Sequence, residues 1–131
     1  MSIADDLKIS VVIPCLGGIE FTEKLLDSLL NQTFKKFEIV FVNSNCNESD
    51  EIEKKISQYS TLDINIVSTM PLCPGDARNL GVLKANSNLV AFLDVRTIPA
   101  RDWLEKITDF KLKFNHDIVL GKFVCKTNNI C

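Results

Sequence analysis

The sequence predicts an α/β fold of the Rossmann-like, three-layer α/β/α kind with a mainly parallel sheet. Two observations predict it: short apolar runs alternate with amphipathic segments along the whole chain, and polar loops separate them. Strands that alternate with helices form right-handed βαβ units, and these units place the strands parallel. A chain of 131 residues without a repeat or a linker fits one domain.

Five short apolar runs are predicted to be the strands. They lie at 9–13, 38–42, 63–68, 88–93 and 118–120. The first run illustrates the pattern, because its β-branched residues stop at Pro14 and a loop with Gly17 and Gly18 follows. Apolar runs of this length are typical of strands that are buried on both faces of a parallel sheet.

Four segments carry apolar residues at the spacing of an amphipathic helix. They lie at 21–30, at 47–59, at 77–83 and from Pro99 onward. The stripe of the third is Ala77, Leu80 and Leu83. The fourth is predicted to face the core through Trp103, Ile107, Phe110 and Phe114.

Composition and charge exclude several functions. A net charge of −2 and a pI near 5.4 argue against a nucleic-acid partner, since binding many phosphates requires a basic surface. No apolar run approaches the roughly 20 residues that span a bilayer, and the N-terminus lacks a secretory pattern. We therefore expect no transmembrane segment and a cytoplasmic location. The five cysteines include no C-x-x-C pair and predict thiols rather than a disulfide framework.

Ligands of parallel α/β sheets bind beyond the carboxyl ends of the strands. The loops that follow the predicted strands are 14–18, 43–47, 69–78 and 94–97. Any anionic ligand of this acidic chain must be held locally by residues of these loops.

Four segments resemble the family 2 glycosyltransferases in their order and spacing, over residues 9 to about 107. The segments are Ser10-Val11-Val12-Ile13-Pro14, then Leu29-Leu30-Asn31-Gln32-Thr33, then Glu38 to Asn43, then Gly75-Asp76-Ala77-Arg78-Asn79-Leu80-Gly81 running into Val90-Ala91-Phe92-Leu93-Asp94. Each segment alone is weak, whereas their joint order is specific. The most specific part of the resemblance is the group Ala77-Arg78-Asn79 and Gly81, which precedes a strand that ends Phe-Leu-Asp.

The resemblance implies a GT-A fold and the transfer of a sugar from a nucleoside-diphosphate sugar to an acceptor hydroxyl, with a glycan or a lipid-linked acceptor and a place in polysaccharide biosynthesis. Family members continue into an acceptor-binding half that supplies the catalytic base. Residues 1–131 are therefore expected to form a truncated, donor-binding half, and no catalytic residue is assigned. The sugar, the acceptor and the oligomeric state stay open.

The resemblance also implies which residues contact the donor. By position they are Pro14, Cys15, Asn43, Asn45, Gly75, Arg78, Asp94 and Arg96. Asn43 stands where the family usually has an aspartate, and its amide can still hydrogen-bond a base edge. For Arg78, the alternative is a solvated helix residue or one that pairs with Asp76 or Asp94.

The triplet Asp94-Val95-Arg96 departs from the family's Asp-x-Asp motif, which binds a divalent metal. Mn²⁺ or Mg²⁺ on Asp94 is expected to be weakened or excluded, because arginine replaces the second acid. We hypothesise that the Arg96 guanidinium contacts the diphosphate and replaces part of the metal's role. The alternative is a surface arginine in a lineage that lost catalysis.

Two other functions stay open at this point. One is a non-catalytic module that binds a nucleotide sugar or serves in an assembly, which the length and Arg96 favour. The other is a phosphoacceptor receiver domain, because Phe92 to Arg96 with Pro99 nearby resembles the strand that bears the receiver's aspartate. Against the receiver, no acidic pair follows the first strand, and Asp94 follows the fourth strand rather than the third.

Overall fold

The fold is described from a computed structural model of the chain, which describes residues 6–45, 47 and 49–122. The strands are β1 (Ile9–Cys15), β2 (Phe37–Asn43), β3 (Ile64–Ser68) and β4 (Leu89–Phe92). The helices are α1 (Thr22–Leu30), α2 (Ser49–Ser57), α3 (Pro74–Lys84) and α4 (Trp103–Phe114), and a 3₁₀ turn at Ile19–Phe21 precedes α1. Four of the five predicted strands are thus confirmed, with bounds that shift by one or two residues.

The strands form one sheet in the order β3-β2-β1-β4, and every pair is parallel. The chain adds β2 and β3 on one side of β1 and then returns to the other side of β1 for β4. This reversal leaves a crevice between the loops that follow β1 and β4. Within the described part of the chain β4 pairs with β1 alone, so its outer edge is open.

Two apolar layers cover the two faces of the sheet. Val11 and Ile13 of β1 pack in the larger layer, which includes apolar side chains of α1, α2 and α4. Val12, between them, packs on the opposite face with Ala77 and Leu80 of α3. Alternation along β1 therefore separates α3 from the other three helices, and the predicted three-layer α/β/α fold is confirmed.

Two predictions about the C-terminal part are wrong. Residues 118–120 form no strand, and Leu120 is 90% exposed. A strand there would need a neighbour for its backbone groups, and 118–120 pair with none of the described strands. The last helix starts at Trp103 rather than Pro99 and buries Leu104 and Thr108. Trp103 and Ile107 pack against the core as predicted. Phe110 and Phe114 are exposed and contact each other, with ring centroids 4.7 Å apart.

The third helix confirms its predicted stripe in part. Ala77 and Leu80 pack on the sheet as predicted, but Leu83 is exposed and Gly81 is buried instead. A Cβ atom at Gly81 would collide with the Val12 side chain and lie 3.3 Å from Val42 Cγ2. Small residues thus let α3 lie directly on β1 and β2, which a stripe of large apolar residues does not predict.

A buried carboxylate fixes the start of β4. Glu38 is 4% exposed; its Oε1 accepts from the Ser10 hydroxyl at 2.6 Å and from the Asn86 N–H at 2.6 Å. Its Oε2 accepts from Asn86 Nδ2 at 2.9 Å, and the Ser87 N–H donates to Ser10 Oγ at 3.1 Å. Burial raises the pKa of Glu38, but these hydrogen bonds and the charge of Lys8 outweigh it and lower the pKa below its usual 4.5.

A buried amide fixes the segment after β4. Gln32, just after α1, donates through Nε2 to the Ala100 carbonyl at 2.7 Å and accepts at Oε1 from the Leu104 N–H at 3.1 Å. Gln32 is fully buried, so both bonds form away from water and their loss would leave unpaired groups. The loop between β4 and α4 is therefore tied to the end of α1.

None of the helices in the described ranges is both long enough and apolar enough to cross a bilayer.

We predict that Gly81→Ala destabilises the protein by about 1–3 kcal/mol, because the new methyl group meets the Val12 side chain. The roughly 1 kcal/mol gain in helix propensity offsets only part of this cost. Gly75→Ala is the matched control, since no atom lies within 4 Å of its Cβ position, and it should be neutral or slightly stabilising. Urea unfolding measures the free energy of unfolding of both variants. Equal changes in that free energy would contradict the close packing of α3.

We predict that Glu38→Gln lowers the free energy of unfolding by roughly 1–3 kcal/mol at neutral pH, because the amide cannot accept all the bonds that the carboxylate accepts. The folded-state pKa of Glu38 is lowered, so its stabilisation is present above pH 4.5 and is lost as the pH falls through the folded-state value. The difference in the free energy of unfolding between Glu38→Gln and wild type should therefore become smaller below pH 4.5.

Chemical unfolding over pH 3 to 7 tests this expectation. Glu53→Gln, at an exposed position of α2, is the control and should stay within about 0.5 kcal/mol of wild type throughout. A Glu38→Gln difference that is constant with pH would show that the buried carboxylate does not titrate as described.

Candidate functional site

A cleft of about 380 Å³ lies at the carboxyl ends of the central strands, where the strand order reverses. Its walls come from the loops after β1, β2 and β4 and from the start of α3. The lining residues are Pro14, Cys15, Leu16, Gly17, Ser44, Leu72, Pro74, Ala77, Arg78, Asp94, Val95 and Arg96. This is the crevice that the parallel topology predicts.

Five of the eight residues predicted to contact a ligand line this cleft together. They are Pro14, Cys15, Arg78, Asp94 and Arg96. The other three, Asn43, Asn45 and Gly75, are not among its lining residues. Cys46, in the predicted loop 43–47, lies outside the described residues.

Asn43 organises the loop after β2. Its side chain is 1% exposed, Oδ1 accepts from the Asn45 N–H at 3.0 Å, and Nδ2 donates to Ser49 Oγ at 3.2 Å. The amide thus links the end of β2 to the first residue of α2. A direct contact of Asn43 with a nucleobase stays a prediction.

Ser44 is a polar residue of the cleft that was not among the predicted contacts. It is 1% exposed, and its backbone N–H donates to the Cys15 carbonyl at 2.8 Å. Its buried hydroxyl has no hydrogen-bond partner among the described residues. A buried hydroxyl without a partner is costly, and a polar ligand in the cleft would remove this cost. The sequence signal that could have identified Ser44 is its position directly after β2.

The turn after β4 presents Asp94 and Arg96 outward on either side of buried Val95. Asp94 Oδ1 accepts from the Arg96 N–H at 2.9 Å, and the Asp94 carbonyl accepts from the Thr97 N–H at 2.9 Å. The carboxylate therefore stabilises the turn that carries the arginine. Its other oxygen keeps acceptor capacity for a ligand.

The Arg96 side chain lies over the loop after β1. Its Cζ atom is 5.7 Å from the Phe21 ring centroid, a cation–π distance. Gly18 has a left-handed φ of 83°, and a Cβ atom there would lie 3.2 Å from Arg96 Cζ and 3.1 Å from Val95 Cγ1. Glycine at this position meets both the backbone and the space requirements of the contact.

Arg78 lies in the second turn of α3 and is half-buried. The alternative in which it pairs with Asp76 or Asp94 is not seen, since the ion pairs of the described residues join Lys55 to Glu23 and Lys106 to Asp102. Arg78, Arg96 and Asp94 give the cleft two positive charges and one negative charge. The cleft therefore favours an anion although the chain as a whole is acidic.

The cleft is poor in side chains that could bind a divalent metal. Asp94 is the one carboxylate among the lining residues, and no group of three histidine, cysteine or acidic side chains that could hold a metal occurs within the described ranges. Asp76, at the start of α3, is exposed and accepts from the Cys73 thiol at 3.0 Å. The side chains present do not fit a protein-built metal site.

A second groove, of about 460 Å³, lies between the end of α1 and the segment before α4. Ser28, Asn31, Pro99 and Arg101 line it. It is larger than the cleft but brings together no pair of charged groups and no strand end. We therefore assign the candidate site to the cleft.

The sequence matches the model of the family described as "Glycosyl transferase family 2" over residues 10–130. It is 32% identical over 121 residues to Glycosyltransferase GlyA of Streptococcus pneumoniae serotype 4, a match that covers 90% of this chain and 17% of GlyA. The family resemblance inferred from the motifs is thereby confirmed, and the receiver-domain alternative fails.

Two solved structures show the same fold. TarS 1–349 of S. aureus in complex with UDP has a TM-score of 0.75 at 24% identity. The match covers 92% of this chain and 38% of TarS 1–349. Mannosyltransferase PcManGT of Pyrobaculum calidifontis in complex with GDP-Man and Mn²⁺ has a TM-score of 0.73 at 21% identity. The match covers 82% of this chain and 33% of the PcManGT chain. This chain spans well under half the length of each of these proteins.

Proposed function

The chain belongs to glycosyl transferase family 2 and has a GT-A type fold, and from this premise we propose that its cleft binds a nucleoside-diphosphate sugar for transfer of the sugar to an acceptor hydroxyl. One observation carries the proposal: Arg78, Asp94 and Arg96 line a single cleft where the strand order reverses. The proposal would have failed if Arg78 and Asp94 lay at opposite ends of the sheet.

Each polar group of the cleft has a role in this proposal. The two guanidinium groups donate forked hydrogen bonds to the diphosphate, a geometry that suits phosphate oxygens. The unpartnered Ser44 hydroxyl bonds a polar group of the nucleoside. The free oxygen of Asp94 accepts from a hydroxyl of the ribose or of the sugar.

The ligand class agrees with what similar structures contain. TarS was solved with UDP and with UDP-GlcNAc, and PcManGT with GDP-Man. These are three nucleotides with a diphosphate in common and with different bases or sugars. The diphosphate is therefore the best-supported part of the donor that we propose for this chain.

In the proposed reaction the bond between the anomeric carbon and the diphosphate oxygen breaks, and a bond to the acceptor oxygen forms. Negative charge develops on the leaving diphosphate, where Arg78 and Arg96 stabilise it. The acceptor proton passes to a base, which we expect in an acceptor-binding part of a longer protein. The acceptor class that we propose is a glycan or a lipid-linked sugar.

A non-catalytic, nucleotide-sugar-binding module is the second candidate. The observation that favours it is Arg96, which stands where the family motif has its second acid and leaves Asp94 as the one carboxylate among the lining residues of the cleft.

We predict that at least one of UDP, GDP and dTDP binds the chain and that Arg78→Ala weakens this binding roughly 10- to 100-fold, because a charge-assisted hydrogen bond is lost. Isothermal titration calorimetry measures the affinity. Arg101→Ala, an exposed arginine of the second groove, is the matched control and should bind like wild type. Absence of binding for all three nucleotides would refute the proposed function.

Donor hydrolysis or sugar transfer, assayed with several nucleotide sugars, separates an enzyme from a binding module. Turnover that Arg78→Ala abolishes supports the transferase. Tight nucleotide binding without turnover, in this chain and in a longer protein that contains it, supports the module.

A further inference from the structure

The end of β4 is where the family motif would hold a divalent cation, and the residues present do not fit one. Asp94 is the single carboxylate of the cleft, and one of its oxygens accepts from the Arg96 N–H at 2.9 Å. A cation beside Asp94 would also be repelled by the Arg96 guanidinium, which lines the same cleft.

Arg96 is exposed, but neighbouring groups restrict the position of its side chain. Buried Val95 and the two hydrogen bonds at Asp94 hold the turn. The guanidinium then rests over the Phe21 ring, above Gly18, whose missing Cβ leaves room for it. A long side chain held in this way loses less conformational freedom when it binds a ligand.

Arg96 forms no ion pair among the described residues. The ion pairs within the described ranges, Lys55–Glu23 and Lys106–Asp102, involve no arginine. The same guanidinium lines the cleft opposite the start of α3, where Arg78 lies. Two unpaired guanidinium groups on one cleft provide the two positive charges that a divalent metal would otherwise bring to a diphosphate.

We propose that Arg96 is a built-in cation that takes the place of the divalent metal, so that the chain binds the diphosphate of its donor without metal. This inference rests on the proposed function, because it concerns the same cleft and the same ligand. The Phe21–Gly18 platform positions the guanidinium, and Asp94 orients the turn that carries it instead of ligating a metal.

The test is calorimetric titration with UDP, GDP and dTDP in excess EDTA and, separately, with Mn²⁺. Wild type should bind equally well in both conditions. Arg96→Ala should weaken binding about 10- to 100-fold in both, because the charged donors are lost. Arg96→Lys keeps the charge without the planar fork of the guanidinium, so its affinity should lie between those of wild type and Arg96→Ala.

Arg96→Asp is the sharpest variant, because it rebuilds an Asp-x-Asp triplet. We expect it to lose binding in EDTA and to regain it with Mn²⁺. Arg101→Ala, outside the cleft, is the matched control, and circular dichroism checks that every variant is folded. Since Arg96 is exposed, its replacement should leave the fold intact.

The outcomes separate the two proposals. Wild-type binding that requires Mn²⁺, or binding in EDTA that Arg96→Ala leaves unchanged, overturns the metal-free role of Arg96 and leaves the proposed function standing. No binding of any nucleotide in either condition overturns the proposed function, and the role of Arg96 falls with it.

Discussion

The pairing of β4 with β1 is the interaction on which the cleft depends. It consists of four residue pairs, from Ile9–Leu89 to Val12–Phe92, whereas β1 and β2 align over seven. So short a strand gains little stability from its own ladder. Polar contacts at both ends supplement it: Glu38 holds Asn86 before the strand, and Gln32 holds Ala100 after it. The turn with Asp94 and Arg96 lies between these two anchors.

The architecture could be predicted from the sequence because it depends on local pattern. Apolar runs that stop at proline or polar residues gave four of the strands, and their alternation with helices gave the parallel sheet. The errors concern contacts between distant residues. The spacing of Trp103, Ile107, Phe110 and Phe114 suggested a shared face, and Trp103 and Ile107 do pack against the core. Only the packing decides that Leu104 is buried while Phe110 and Phe114 are exposed. Likewise, 118–120 has strand-like composition but pairs with none of the described strands.

The candidate site was predictable in part, and for a similar reason. Strand ends and the family resemblance pointed to Pro14, Cys15, Arg78, Asp94 and Arg96, which line one cleft. The sequence could not reveal that the Asn43 amide is used within its own loop or that the Ser44 hydroxyl is buried without a partner. Hydrogen-bond partners depend on atomic positions to within a few tenths of an ångström, and no spacing rule carries that information.

The buried carboxylate of Glu38 has a consequence at the opposite end of the sheet. By holding Asn86, it sets the register of β4 against β1. Side chains of a strand alternate between faces, so a slip of one residue would exchange inward and outward positions. Ala91, which packs in the larger apolar layer, would then exchange faces with the exposed Phe92. A buried ionised group before the strand thereby helps to position the turn with Asp94 and Arg96 that follows it.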